Sequence, residues 1–205
     1  LYIGQSLENV YVRSKFEAEK IVLENIIYNG LDGLILRIGN ITNRSTDGKF
    51  QPNSSENAFA SRLKAFLELK CVPNYLKNIY AEFSPVDNVA EAVYKSICYA
   101  NNINVLHVYN SNHLQMSDLV DFLPNDKLKF VNDDVFDKEL REFMNSSDRS
   151  NPISYLVNDL DKEKHLNYNN TIKIKNDFTN KFFDKINFKW SAIDKDYIFK
   201  LINNI

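Results

Sequence analysis

The stretch NVYVRSKFEAEKIVLEN, Asn9 to Asn25, sets Tyr11 four residues ahead of Lys15, with Ser14 between them. The surrounding residues predict a helix over about Leu7 to Tyr28. Val10, Ser14, Ala18, Ile21, Val22 and Ile26 trace a broad inward face, and Arg13, Glu17 and Glu24 a wetter one. Asn29-Gly30 supplies the stop, because glycine adopts the left-handed conformation that closes a helix. Positions four apart stack on one helical face, so the phenol and the ammonium point the same way. An ammonium beside a phenol favours the phenolate. A phenol so helped is a better proton donor to a carbonyl oxygen that is receiving hydride. With eleven tyrosines in the chain, the spacing also arises by chance, so its context decides its meaning.

The next segment, GLILRIGNI, is β-rich and almost continuously apolar, the profile of a parallel strand buried on both faces. A helix followed by such a strand is half of a βαβ unit. TNRSTDGKFQPNSSEN reads as a polar loop of a length that is often functional. A helix is expected over Ala58–Leu69. AEFSPVDNVAEAVYKSICYA reads as a strand end, a proline turn and a helix, with Asp87 or Asn88 as cap and Val89, Val93 and Ile97 inward. NVLHVYN and LKFV read as short strands, and SDLVDFL and DDVFDKELREFM as helices, the former capped by Ser117 or its neighbour. NSSDRSNP reads as a linker. Two short helices are expected near Thr171–Asn187 and Asp194–Asn204.

Composition narrows the classes. The chain has 205 residues, is 44% hydrophobic and carries a net charge of −2, with no basic stripe for nucleic acid or an anionic membrane. No run of 18 apolar residues predicts a membrane span. Two cysteines, Cys71 and Cys98, make no disulfide framework and suit a reducing, cytoplasmic setting. His107, His113 and His165 are scattered without the pairing of a zinc site, so no metal is expected. None of the five glycines forms G-x-G-x-x-G, and the chain enters a helical pattern almost at once, so it reads as part of something longer.

Taken together and in order, YVRSKFEAEKIVLE, GLDGLILRIGNITNRSTDGKFQPN and EFSPVDNVAEAV resemble the second half of an extended short-chain dehydrogenase/reductase. They are most similar to the terminal thioester reductase domains of nonribosomal peptide synthetases and to carboxylic acid reductases. The resemblance covers Asn9 to Ala100 well, and VLHVYNSNHLQMSDLVDFL fits a later strand and helix. It implies an α/β fold, the C-terminal part of a Rossmann-like reductase with a helical substrate-side subdomain and without the glycine-rich N-terminal half. Residues 1–48 would end the Rossmann-like part, and 49–205 would form mainly the substrate-binding and C-terminal helical part.

The resemblance implies NADPH as cofactor and, as partner, a phosphopantetheinyl carrier domain bearing an acyl or peptidyl thioester. The product would be an aldehyde or alcohol. Tyr11 would be the general acid, and Lys15 would hold the nicotinamide ribose. Ile38, Gly39, Asn40 and Ile41 would lie against the nicotinamide, and Gln51 and Asn53 would border the thioester. The glycine-rich phosphate loop and the upstream Ser/Thr of the family are not found before Tyr11. The missing Rossmann half is therefore an expected partner, and this polypeptide alone is expected to be inactive. Arg37 is read as pairing with a carboxylate and Asp87 as a helix cap. Two other readings share these residues: an extended reductase or epimerase acting on nucleotide sugars, and a non-catalytic interaction module.

Overall fold

A computed structural model of the chain describes residues 5, 7–53, 57–124, 126–146, 156 and 175–205. Helices and short strands alternate. Helix α1 (Val10–Asn29) is followed by β1 (Ile35–Ile38), β2 (Ile41–Thr42), α2 (Ala58–Leu69), β3 (Cys71–Pro73), β4 (Tyr80–Ala81) and β5 (Ser84–Pro85). Then come α3 (Val86–Tyr99), β6 (Val105–Val108), β7 (Leu114–Gln115), α4 (Met116–Phe122), β8 (Lys129–Val131) and α5 (Asp133–Ser146). Two further helices, α6 (Asp177–Lys185) and α7 (Lys195–Ile202), fall where the sequence predicts them. Residues 147–152 of the expected linker lie outside the described residues.

The strands pair two by two. β1 runs parallel to β6, β2 to β5 and β3 to β8, while β4 and β7 are antiparallel. Parallel pairing demands long crossovers, and the intervening helices provide them. Contacts divide the chain into two compact units. One takes the segment up to Gly39, Val89–Tyr109 and the segment ending at Lys189; the other takes Asn40–Asn88, the segment from Asn110, and Trp190–Ile205.

The first unit holds α1, β1, most of α3, β6 and α6. Asn9 caps α1, its side chain accepting the Val12 N–H, and Gly30 ends it at φ 68°, as expected from the Asn-Gly stop. The inward face of α1 differs from the predicted one. Val12, Phe16, Glu19, Leu23 and Ile26 are half-buried, whereas Val10, Ser14, Ala18 and Ile21 are exposed. Two stripes on this helix carry apolar residues at helical spacing, so periodicity alone does not choose between them.

β1 also departs from expectation. It is half-buried rather than enclosed on both faces, and among the described residues it pairs only with β6. In α3, Val89 and Ala92 are buried and Val93 is half-buried, but Ile97 is exposed. Buried Ser96 takes the inward position beside it.

The second unit contains a continuous apolar core. Leu63, Phe66, Val72, Leu76, Phe83, Leu119, Leu128, Phe136, Ile198 and Leu201 pack within it. Asn57 caps α2 by accepting the Ala60 N–H, and Asp194 caps α7 by accepting the Tyr197 N–H. Helix α4 begins one residue before Ser117, and its cap is Gln115.

The polar loop is more ordered at its start than its composition suggests. Arg44 N–H donates to the Lys49 carbonyl and Gly48 N–H to the Arg44 carbonyl. Gly48, at φ 71°, lies so close to α7 that a Cβ would meet the Lys200 carbonyl oxygen at 2.5 Å.

Candidate active site

Tyr11 and Lys15 lie one turn apart on the first half of α1, and both are exposed. The Lys15 ammonium stands 5.5 Å from the centroid of the Tyr11 ring. The two side chains therefore share a face, as their spacing predicts, and Tyr11 is 70% accessible. Ser14 does not join them: its hydroxyl donates back to the Tyr11 carbonyl at 2.8 Å, a local bond typical of serine in a helix.

The same helix is fastened lower down. Arg37 on β1 donates from Nε to Glu19 at 2.9 Å, and its Nη2 holds the other carboxylate oxygen. Arg37 thus pairs with a carboxylate, as the sequence suggests. It holds the Glu19 carboxyl below its ordinary range despite opposing burial. Arg37 Nη1 also approaches His107 Nε2 at 3.2 Å, across the β1–β6 register that aligns these two residues. Burial, and then the Arg37 charge, hold the His107 imidazole below its usual value.

Ile38 ends β1 with its side chain exposed, and the Gly39 N–H donates to the Val108 carbonyl at 3.1 Å. Asn40 and Ile41 begin the second unit, both exposed. There the segment is gripped from several directions. The Asn40 N–H donates to Glu82 Oε2 at 2.5 Å, and the Ser84 N–H donates to the Asn40 carbonyl at 3.0 Å. Ile41 and Thr42 pair with Ser84 and Pro85 as β2 and β5.

Thr42 and Asn43 are buried, and the Tyr197 hydroxyl reaches both. It lies 2.7 Å from Thr42 Oγ1 and 3.1 Å from the Asn43 carbonyl. Burial pushes this phenol well above its ordinary range. Asp87 takes the Ser45 N–H at 3.0 Å and the Ser45 hydroxyl at 2.8 Å. It also accepts the N–H of its neighbour Asn88, so it serves mainly as a clamp on Ser45 rather than as the expected helix cap.

Gln51 and Asn53 are exposed, linked by a bond from Gln51 Nε2 to the Asn53 carbonyl at 3.4 Å. Sequence reasoning passed over Glu82, Thr42 and Tyr197. Only Glu82 left a signal: it lies two residues before Ser84 in an extended stretch, so the two side chains project to one side. Among the described residues no cluster of three His, Cys, Asp or Glu could hold a metal ion, and no helix is long and apolar enough to cross a membrane.

The chain has the Rossmann-like NAD-binding architecture of an extended short-chain dehydrogenase/reductase, and the NAD-binding family described as male sterility protein matches residues 2–93. Its fold is similar to that of the terminal reductase domains of nonribosomal peptide synthetases. A thiolation-reductase di-domain from an archaeal non-ribosomal peptide synthetase superposes with a TM-score of 0.84 at 26% identity, over 99% of this chain. The reductase domain of the aureusimine biosynthetic cluster superposes at 0.79 with 27% identity, over 98%. The terminal R domain of the myxalamid PKS-NRPS pathway shares the fold, with a TM-score of 0.79 at 19% identity over 94% of this chain and 48% of its own. The chain spans 42% and 51% of the first two solved structures. No curated protein matches it in sequence.

Proposed function

We propose that the natural polypeptide carrying this sequence is an NAD(P)H-dependent reductase that releases a carrier-bound acyl or peptidyl thioester as an aldehyde or alcohol. The observation that carries this reading is the placement of the Lys15 ammonium 5.5 Å from the ring of exposed Tyr11, in a chain with the fold of such reductases. The thiolation domain joined to the archaeal relative supports a phosphopantetheinyl carrier as partner.

The donor set suits a nicotinamide cofactor: an exposed ammonium for ribose hydroxyls and an exposed phenol for a substrate carbonyl. When bound, the nicotinamide supplies hydride to the thioester carbon. Tyr11 Oη donates its proton to the carbonyl oxygen, giving a thiohemiacetal. Collapse of that adduct breaks the C–S bond, leaving an aldehyde and the carrier thiol, and Tyr11 is reprotonated from solvent. Lys15 orients the cofactor through its ribose hydroxyls. Ile38, Gly39, Asn40 and Ile41 border the cofactor, and Gln51 and Asn53 the thioester. The sequence contains no glycine-rich loop for the pyrophosphate, so these residues would account for the nicotinamide end alone.

The test presents the full natural polypeptide with NADPH, then NADH, and with an acyl-pantetheine thioester or a nucleotide sugar. Thioester-dependent cofactor oxidation with aldehyde formation supports the reading. Turnover of the nucleotide sugar alone assigns the chain to the epimerase-like reductases. Absence of any cofactor binding favours an interaction module.

A further inference from the structure

Glu82 is a half-buried carboxylate placed where no reacting group is expected. Burying an ionised carboxylate is costly unless polar donors compensate it. Here Oε2 accepts the Asn40 N–H at 2.5 Å, and Oε1 accepts the Ser84 hydroxyl. Ser84 is itself fully buried and accepts the Asn110 N–H at 2.9 Å. Among the described residues no salt bridge reaches Glu82. Its bonds are to neutral donors, of which the Asn40 N–H can only donate, whereas the Ser84 hydroxyl can donate or accept. A carboxylate offers an acceptor oxygen to each; a glutamine would keep a neutral oxygen on the Asn40 N–H only by turning its –NH₂ to the Ser84 oxygen.

The constraint falls on one peptide. A trans peptide is planar, so directing the Asn40 N–H at Glu82 sends the Gly39 carbonyl the opposite way. A few residues on, Asp87 holds Ser45 through both its N–H and its hydroxyl. Two carboxylates that flank Ser84-Pro85 thus fasten both ends of Asn40–Ser45.

We infer that Glu82 is a positioning residue for the nicotinamide end of the cofactor, acting through the orientation of the Gly39–Asn40 peptide. The inference rests on the reductase reading above. Glu82 touches neither cofactor nor substrate. It presets the backbone that lines the cofactor, so that binding need not order it.

The test uses the full natural polypeptide and two readouts. The first is amide exchange at Asn40 without cofactor. In the wild type this amide is expected to be protected although the residue is exposed; fast exchange overturns the inference without need of a variant. In Glu82→Gln it is expected to exchange about tenfold faster, as replacing a charged acceptor by a neutral one implies.

The second readout is cofactor affinity by fluorescence titration, with kcat and KM alongside. Glu82→Gln is expected to bind the cofactor about tenfold more weakly. The cofactor KM rises in step, kcat at saturating cofactor changes less than about twofold, and Glu82→Asp recovers part of the affinity. Unchanged affinity with a lowered Tm means a structural role and overturns the inference alone. A wild type that binds no nicotinamide cofactor overturns the reductase reading and this inference with it.

Discussion

The guanidinium of Arg37 grips both carboxylate oxygens of Glu19, joining β1 to the middle of the helix that carries Tyr11 and Lys15. A two-pronged arginine–carboxylate pair fixes orientation as well as distance. Because both side chains remain partly accessible, the pair is screened and its worth is modest. Arg37→Ala is expected to lower stability by about 1 kcal/mol, read as a shift in the denaturation midpoint. An undiminished midpoint would show that the pair does not fasten the helix.

The neighbouring imidazole makes that unit sensitive to acid. The folded pKa of His107 lies below its unfolded value of about 6.5. The unfolded chain therefore binds more protons in the window just below 6.5, and stability falls as pH drops through it. His113, depressed by burial, acts in the same direction. His107→Gln is expected to flatten the fall below about pH 6.5, measured by urea denaturation at each pH. Glu19 adds a separate loss at lower pH. Its folded pKa is depressed, so its contribution is present above about 4.5 and disappears as pH drops through the folded value.

Removing the Tyr11 hydroxyl tests the chemistry without disturbing the fold, because the ring is exposed. Tyr11→Phe in the full natural polypeptide should leave Tm unchanged and lower kcat on the thioester by about 10²–10⁴-fold. Lys15→Met should weaken cofactor binding as well as kcat. A Phe variant with full activity would remove the phenol from the mechanism.

Gly30 and Gly48 share a left-handed backbone but not an environment. Nothing lies within 4 Å of a Cβ built on Gly30, whereas one on Gly48 would strike the Lys200 carbonyl at 2.5 Å. Gly30→Ala is expected to cost about 1 kcal/mol, the conformational term alone. Gly48→Ala adds the steric conflict with α7 and is expected to cost about 3 kcal/mol or more. Equal losses by thermal denaturation would contradict the close approach of the loop to α7.

The two thiols should separate kinetically. Burial, and then the Glu139 charge, push the Cys71 thiol up to about 11, so almost no thiolate exists at pH 8. Cys98 is exposed on α3. A disulfide reagent is expected to consume one thiol rapidly in the native protein and the second only on unfolding. Rapid reaction of both would place Cys71 in solvent.

What the sequence determined by itself is local. The Tyr11–Lys15 alignment follows from one helical turn, and the end of α1 follows from Gly30, whose freedom at positive φ no neighbour has to supply. β1 and β6 are legible as two β-rich segments with a helix ahead of the second, but their pairing is not. What the tertiary structure decided is which stripe of α1 turns inward and which partners hold Asn40–Ser45. Asn40 meets Glu82, and Ser45 meets Asp87, each 42 positions away; Thr42 meets Tyr197 across 155. Spacing along a helix or strand dictates only which side chains within a turn or two share a face. The donors of an irregular segment take whatever acceptors the closed chain brings beside them, and composition read from Thr42 to Asn57 signals no more than a polar loop.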